Sequence, residues 1–336
     1  VMFAPSAGAS ITVSNTPIDI GTATLQAHDP GNFNLDVSGN VMGTFNPGWT
    51  MKAKIGAANA LPTNVNLTMG QFSASAASAG QGTLDMNGFD VTVGRLRSDY
   101  NAALTNPSNL VIRNSAGTIQ TLAVNQSVYS AYDGRLIENI ALLKDGAGTL
   151  DLAGDNTYAG TTVISNGTLA VNGTHLGGGA YTVAGGTLGG TGLIDAAVQV
   201  LAGGIVAPGN SIGALTTSNN FDLDGTLRIE LENAAGPGAG LSDLLDVNGF
   251  FDITNGTVQF VYAGTLTNDF YVFAEYDSLS GDPFLNVLNL PDGYGIDYGF
   301  GVGGNQIALV IPEPSTMALL ALGFALVAGV ARRRRR

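Results

Sequence analysis

One pentapeptide in the sequence has the form of a nucleophile elbow, the turn that presents a catalytic serine. Gly209, Ser211 and Gly213 fit G-x-S-x-G, a pattern that needs a strand before it, a helix after it and a histidine further along the chain. Both histidines, His28 and His175, come earlier, and the residues after Gly213 have no helical pattern. We therefore expect Ser211 to lie at a corner of the fold, without a catalytic role.

Two other motifs partly match cofactor and metal sites. Gly299, Gly301 and Gly304 fit G-x-G-x-x-G, but the strand-like NQIALVI follows them, where a dinucleotide site needs a helix. Asp222 and Asp224 are spaced as in a calcium loop, but the further acids of that loop are missing. Weak calcium binding by an acidic surface stays open. We expect a turn at the glycines, and no catalytic residue, cofactor or dedicated metal site.

Composition limits the remaining chemistry and points to a folded chain. The 336 residues include no Cys, so thiolate metal sites and disulfides are excluded, and His28 and His175 stand alone in loop-like contexts. We expect both histidines at the surface or at corners. Hydrophobic residues make up 45% of the chain and charged residues 12%, which is the reverse of a disordered composition.

Charge is divided unevenly along the chain. Residues 10–311 hold 25 acidic and 8 basic residues, a net charge of −17. A body this acidic repels phosphates, so we expect no nucleic acid partner. Its wealth of Gly, Asn and Thr suits an exported protein.

The elements that must position any site are periodic. Gly-Thr-Leu recurs at Gly148, Gly167, Gly186 and Gly225, with Gly-Ile-Val at Gly204, at spacings of 18 to 21 residues. Apolar and polar residues alternate after each unit, which indicates a strand. Related units begin at Gly82, Gly117 and Gly256.

A strand and its turns at every 19 residues or so suit one coil of a solenoid. We predict an all-β, right-handed parallel β-helix, with Gly and Asn at corners that need positive φ. An antiparallel sandwich with accidental repeats is the alternative. The predicted division is irregular β structure or an N-terminal cap over 10–136, β-helix repeats over 137–220, and a C-terminal β region or cap over 221–311. For 221–311 we expect a hairpin-rich cap or a small sandwich.

The first nine residues read as the end of a signal peptide. Ala7 and Ala9 supply a small-x-small cleavage site after an apolar stretch. We expect cleavage after Ala9; a floppy terminus is the alternative.

The other end, residues 312–336, has three parts. Pro312, Glu313, Pro314 and Ser315 come first, and residues 316–331 follow without a charge. A helix over those 16 residues would be about 24 Å long, enough to cross a bilayer that thins locally. We expect this helix to be a transient inner-membrane anchor, with a cytoplasmic cluster formed by Arg332, Arg333, Arg334, Arg335 and Arg336.

This order of parts resembles the PEP-CTERM sorting signal of Gram-negative bacteria. The matching residues are Pro312, Glu313, Pro314, Ser315, the apolar run and the arginines. The resemblance implies recognition and cleavage by an exosortase, a membrane protease-transpeptidase, and export to the envelope or extracellular matrix.

A second resemblance covers the repeats. Residues 142–173, with Lys144, Gly148-Thr149-Leu150 and Gly167-Thr168-Leu169, are similar to the autotransporter-associated β-strand repeat, and residues 185–217 look like the stretch that often follows it. The family fold implied is a right-handed β-helix.

Two functions from different classes are compatible with these features. The first is a non-enzymatic structural or adhesive protein of the cell surface or extracellular polysaccharide matrix, with the exosortase, the export machinery and a polysaccharide as partners. The alternative is a polysaccharide-acting β-helix enzyme, a lyase or hydrolase, for which Lys144 and Arg228 are the candidate bases.

Overall fold

The chain is all-β over the residues that the structure, a computed structural model, describes. These are residues 10–12, 18–20, 34–37, 51–55, 58, 65–69, 82–98, 107–235 and 239–312. They contain 33 strands and one short 3₁₀ helix, Pro107–Asn109. The predicted all-β class is therefore confirmed.

Most strands belong to three ladders of parallel pairs, and between residues 82 and 232 each coil contributes one strand to each ladder. The first ladder contains β2 (Ile18–Ile20), β4 (Met51–Ile55), β6 (Gly82–Asp85), β9 (Leu110–Asn114), β12 (Arg135–Glu138), β15 (Asp155–Tyr158), β18 (Thr174–His175), β21 (Leu193–Ile194), β24 (Ala214–Thr217) and the first parts of β28 (Leu244–Asp252) and β30 (Phe270–Ser280).

The second ladder follows the first around each coil. It contains β7 (Val91–Val93), β10 (Gln120–Asn125), β13 (Ile140–Asp145), β16 (Thr162–Ile164), β19 (Tyr181–Val183), β22 (Val198–Val200), β25 (Phe221–Leu223) and the later parts of β28 and β30.

The third ladder is formed by two sets of strands. The first set is β1 (Ser10–Thr12), β3 (Asn34–Val37), β5 (Asn66–Met69) and β8 (Arg95–Ser98). The second is β11 (Ser130–Tyr132), β14 (Thr149–Leu152), β17 (Thr168–Val171), β20 (Thr187–Gly190), β23 (Ile205–Pro208), β26 (Thr226–Glu232), β29 (Thr257–Tyr262) and β31 (Asn286–Leu288). The sets meet where Ser130 Oγ donates to the Leu96 carbonyl at 2.6 Å.

Apart from one isolated bridge between Gly190 and Gly209, antiparallel strand pairing within the described residues is confined to the C-terminal part. There β27 (Leu241–Ser242) pairs with β26, and β33 (Gln306–Val310) pairs with both β30 and β32 (Gly295–Phe300). Hairpin pairing, which we predicted across 221–311, is therefore limited to these pairs, because the three ladders continue in parallel as far as β31.

These ladders form a β-helix, and parallel pairing over 137–220 rules out the antiparallel sandwich. The right-handed sense of the winding stays a prediction. So does the division into domains, although parallel ladders cross the predicted boundaries at 136/137 and 220/221. The predicted signal-peptide residues Ala7 and Ala9 lie outside the described residues.

The periodic Gly-Thr-Leu units open strands of the third ladder. Leu150, Leu169, Leu188, Val206 and Leu227 stand in register on neighbouring coils, and all of them are fully buried. In β14 the alternate residues Thr149 and Asp151 are partly exposed, as the period of two predicted. In β17 and β20 the alternate positions Ala170 and Gly189 are buried as well. The related units at Gly82 and Gly117 differ, because Gly82 begins β6 of the first ladder and Gly117 precedes β10 of the second.

Many glycines are required by crowding between coils and not by positive φ. Gly134, Gly154, Gly173 and Gly192 follow successive strands of the third ladder, and none of the four has a positive φ. A Cβ on any of them would lie 2.0 to 2.3 Å from a carbonyl oxygen of the preceding coil. This glycine column lets the coils stack at the corner between the third and first ladders.

Candidate functional site

The C-terminal motif begins where the last strand ends. Strand β33 stops at Val310, and the Ile311 N–H donates to the Asp269 carbonyl at 3.2 Å. Ile311 and Pro312 are both exposed. The start of the motif is therefore accessible at the surface of the β-helix.

The rest of the predicted sorting segment lies outside the described residues. This holds for Glu313, Pro314 and Ser315, for the helix predicted over 316–331, and for the arginine cluster, Arg332, Arg333, Arg334, Arg335 and Arg336. Within the described ranges, no helix has the length and apolar character to cross a membrane.

Lys144, a candidate base for an enzyme, points into the β-helix. It stands in the second ladder between Val124 and Ile164 of the neighbouring coils, and it is fully buried. Its ammonium group donates to the carbonyl oxygens of Asp145 at 2.9 Å, Gly146 at 2.7 Å and Asn166 at 3.1 Å.

These three bonds give Lys144 a structural role at the corner. Asn166 belongs to the next coil, so the ammonium group ties two successive corners together. Burial lowers the pKa of Lys144 to about 8, while the charge of Asp145 opposes that shift. With its donors used by backbone carbonyls, the group cannot reach a polysaccharide.

The prediction that His175 lies at the surface or at a corner is wrong. The side chain is 1% exposed and stacks on Tyr158, with ring centroids 3.9 Å apart. It occupies the inward position of β18, between Asn156 and Ile194 of the neighbouring coils. An inward position on a two-residue strand is hard to recognise from sequence. His28 lies outside the described residues.

One ring nitrogen of His175 has a hydrogen-bond partner and the other has none. Nε2 lies 2.9 Å from the Tyr158 carbonyl oxygen, which can only accept, so Nε2 carries the proton. Nδ1 is buried without a hydrogen-bond partner. A second proton would create a buried charge with no acceptor at Nδ1, and burial accordingly lowers the pKa of His175.

Stability is therefore expected to depend on pH through His175. Since the folded-state pKa lies below the unfolded value of about 6.5, the unfolded chain takes up the proton first as pH falls. The free energy of unfolding of wild type, measured relative to that of His175→Phe, should therefore decrease as pH falls from 7 to 5. Urea titrations of both proteins at several pH values measure this difference. A constant difference would contradict the assigned tautomer and burial.

The comparison of wild type with His175→Phe also removes the effect of Asp243 on stability, whose pH dependence has the opposite sign to that of His175. Burial raises the pKa of this carboxyl to about 7, against the effect of hydrogen bonds from the Gly213 and Glu230 N–H groups. Because its folded pKa lies above the unfolded one, stability from Asp243 falls as pH rises from about 4 to 7. That change is present in wild type and in His175→Phe alike, so it cancels.

The G-x-S-x-G motif lies in a turn, as predicted, whereas the G-x-G-x-x-G motif begins at Gly299 within β32 and continues into the turn that follows. Ser211 is exposed in the turn between β23 and β24, where Asp243 accepts the Gly213 N–H at 3.1 Å. Gly301 and Gly304 lie in the loop between β32 and β33, both with positive φ. The G-x-G-x-x-G match thus connects two antiparallel strands.

The carboxylates Asp222 and Asp224 lie on β25 and just after it, and both are partly exposed. No group of three or more His, Cys, Asp or Glu side chains in the described part of the chain is placed to hold a metal ion.

Comparisons with protein families match two segments of the chain. Residues 142–171 match the passenger-associated-transport-repeat, which covers β14 to β17 and the Lys144 corner. Residues 310–336 match the PEP-CTERM protein-sorting motif, which starts at the last residue of β33. The two resemblances seen in the sequence are therefore confirmed, and the chain carries the repeat of transported passengers and a sorting motif.

A curated relative matches the body. The adhesin BmaC autotransporter of Brucella suis biovar 1 (strain 1330) is 32% identical over 161 residues. The match covers 45% of this chain and 5% of that much longer protein.

Proposed function

We propose that this chain is an exported, non-enzymatic structural or adhesive protein of the bacterial cell surface or extracellular polysaccharide matrix. An exosortase sorts it through the PEP-CTERM motif, while residues 316–331 hold it transiently in the inner membrane. The observation that carries the proposal is the family match over 310–336, together with the exposed start of that motif at Ile311 and Pro312.

The body supports an adhesive or structural role. The match to the passenger-associated-transport-repeat and the similarity to a protein named as an adhesin autotransporter support this role. A β-helix also exposes long rows of side chains on flat ladders, which suit repeated contacts with an extended polymer.

The alternative, a polysaccharide-acting lyase or hydrolase, has less support. Of its two candidate bases, Lys144 is fully buried and bonded to backbone carbonyls. Arg228 is partly exposed on β26.

The sorting step is tested by changing the motif in the cell. With Pro312, Glu313 and Pro314 all replaced by alanine, we expect the chain to stay in the inner membrane with its arginine tail intact. Glu232→Ala, which removes an exposed acid from β26, is the control and should reach the surface as wild type does. Cell fractionation and protease treatment of whole cells give the readout. Normal surface delivery of the triple variant would contradict the proposal.

A further inference from the structure

A groove of about 410 Å³ crosses four successive coils at the corner between the first and second ladders. Two columns of outward residues line it, one residue of each column from each coil. The column at the corner is Ala180, Ala197, Asn220 and Phe250, and the column on the second ladder is Thr182, Gln199, Asp222 and Asp252. Coils are about 4.8 Å apart, so the groove is about 14 Å long.

The depth of the groove comes from the sizes of the corner residues. Ala180 and Ala197 are exposed and small, while Phe250, two coils further on, projects with 40% of its surface exposed. The Phe250 N–H donates to Asn220 Oδ1 at 3.2 Å, which fixes the corner beside the ring. The two small alanines therefore leave a depression that ends at the Phe250 ring.

The other side of the groove is polar and held in place. Gln199 Nε2 donates to Asp222 Oδ2 at 3.3 Å. Asp252 Oδ1 accepts the Thr254 N–H at 2.9 Å and its hydroxyl at 2.6 Å. Among the described residues, no Lys, Arg or His lines the groove. Carboxylates and a fixed amide therefore face an exposed aromatic ring across a narrow depression.

This combination defines the chemistry of a ligand. Ionised carboxylates only accept hydrogen bonds, so they select groups that donate, such as hydroxyls. An exposed aromatic ring packs on an apolar face of a ligand and supplies much of the binding energy. A pyranose ring offers both surfaces. The negative charge of Asp222, Asp224 and Asp252 repels acidic polymers.

We infer that this groove binds an uncharged polysaccharide, laid along the axis of the β-helix with one sugar ring against Phe250. The inference rests on the proposed function and gives its adhesive role a site and a ligand class.

The test measures binding of the purified full chain to immobilised neutral glucans, mannans and galactans, with polygalacturonate and polylysine as charged comparators. We expect a neutral polymer to bind and Phe250→Ala to weaken that binding about tenfold. Tyr129→Ala is the matched control, because Tyr129 is 61% exposed and bonded to Asp151 at 3.1 Å but lies outside the groove. It should bind as wild type does.

Three results would overturn the inference: binding to a charged polymer alone, no binding to any neutral polymer, or unchanged binding by Phe250→Ala. Equal urea midpoints show that the variants are folded. Surface delivery is scored separately by fractionation, since Phe250→Ala should still be exported. Failure to bind with normal surface delivery refutes the groove alone, whereas failure of wild type to be exported refutes the proposed function.

Discussion

Replacing Gly173 with alanine is expected to lower the free energy of unfolding by about 3 kcal/mol. The new Cβ would lie 2.2 Å from the Gly154 carbonyl oxygen and 2.6 Å from that of Ala153, both in the preceding coil. These are backbone atoms of the corner between β14 and β15, so the change can be accommodated only by moving two coils apart. Neighbouring ladder bonds would be strained as a result.

Gly117→Ala is the control for the loss of glycine itself. Neither Gly117 nor Gly173 has a positive φ, and a Cβ at Gly117 would meet nothing within 4 Å. We expect this change to be neutral or to stabilise the fold by about 0.4 to 1 kcal/mol, because alanine restricts the unfolded chain. Urea titrations of the two variants separate crowding from chain entropy. Equal effects of both changes would contradict the tight glycine column.

The second large effect is expected at the inward leucines. Leu169→Ala should cost about 2 to 5 kcal/mol, because it removes a fully buried side chain from between Leu150 and Leu188. Each coil buries its apolar residues against its two neighbours, so the cavity would weaken contacts in both directions.

Thr168→Ala provides the comparison within the same strand. Thr168 is paired in the same ladder but is partly exposed, so its replacement should change stability by about 0.5 kcal/mol or less. The decrease in the urea midpoint should therefore be large for Leu169→Ala and small for Thr168→Ala. Similar losses for both variants would mean that the assigned inward face is incorrect.

The repeats could be predicted because spacing and alternation are directly visible in the sequence. The units at Gly148, Gly167 and Gly186 are 19 residues apart, and the same interval separates the stacked Leu150, Leu169 and Leu188. The arrangement of the C-terminal region, residues 221–311, was harder to predict from the sequence. Alternation of apolar and polar residues is the same for parallel and antiparallel strands, so the long strands β28 and β30 could not be assigned to the ladders from their pattern.

The burial of polar residues at inward positions could not be predicted from the sequence either. Lys144 and His175 are buried because each finds backbone carbonyls inside the coil, and a pattern of residue types does not show those partners. The groove at Phe250 was also hidden. It depends on residues 70 positions apart in sequence, Ala180 and Phe250, which only the register of the ladders brings to one corner.

The mass of the mature C-terminus tests the proposed function most directly. Chain recovered from the cell surface is digested, and its C-terminal peptide is identified by mass spectrometry. The proposal predicts a C-terminus near Pro312 to Ser315, without residues 316–331 and without Arg332 to Arg336. A surface protein that keeps the intact arginine tail, or a chain found solely in the cytosol, would contradict sorting by an exosortase.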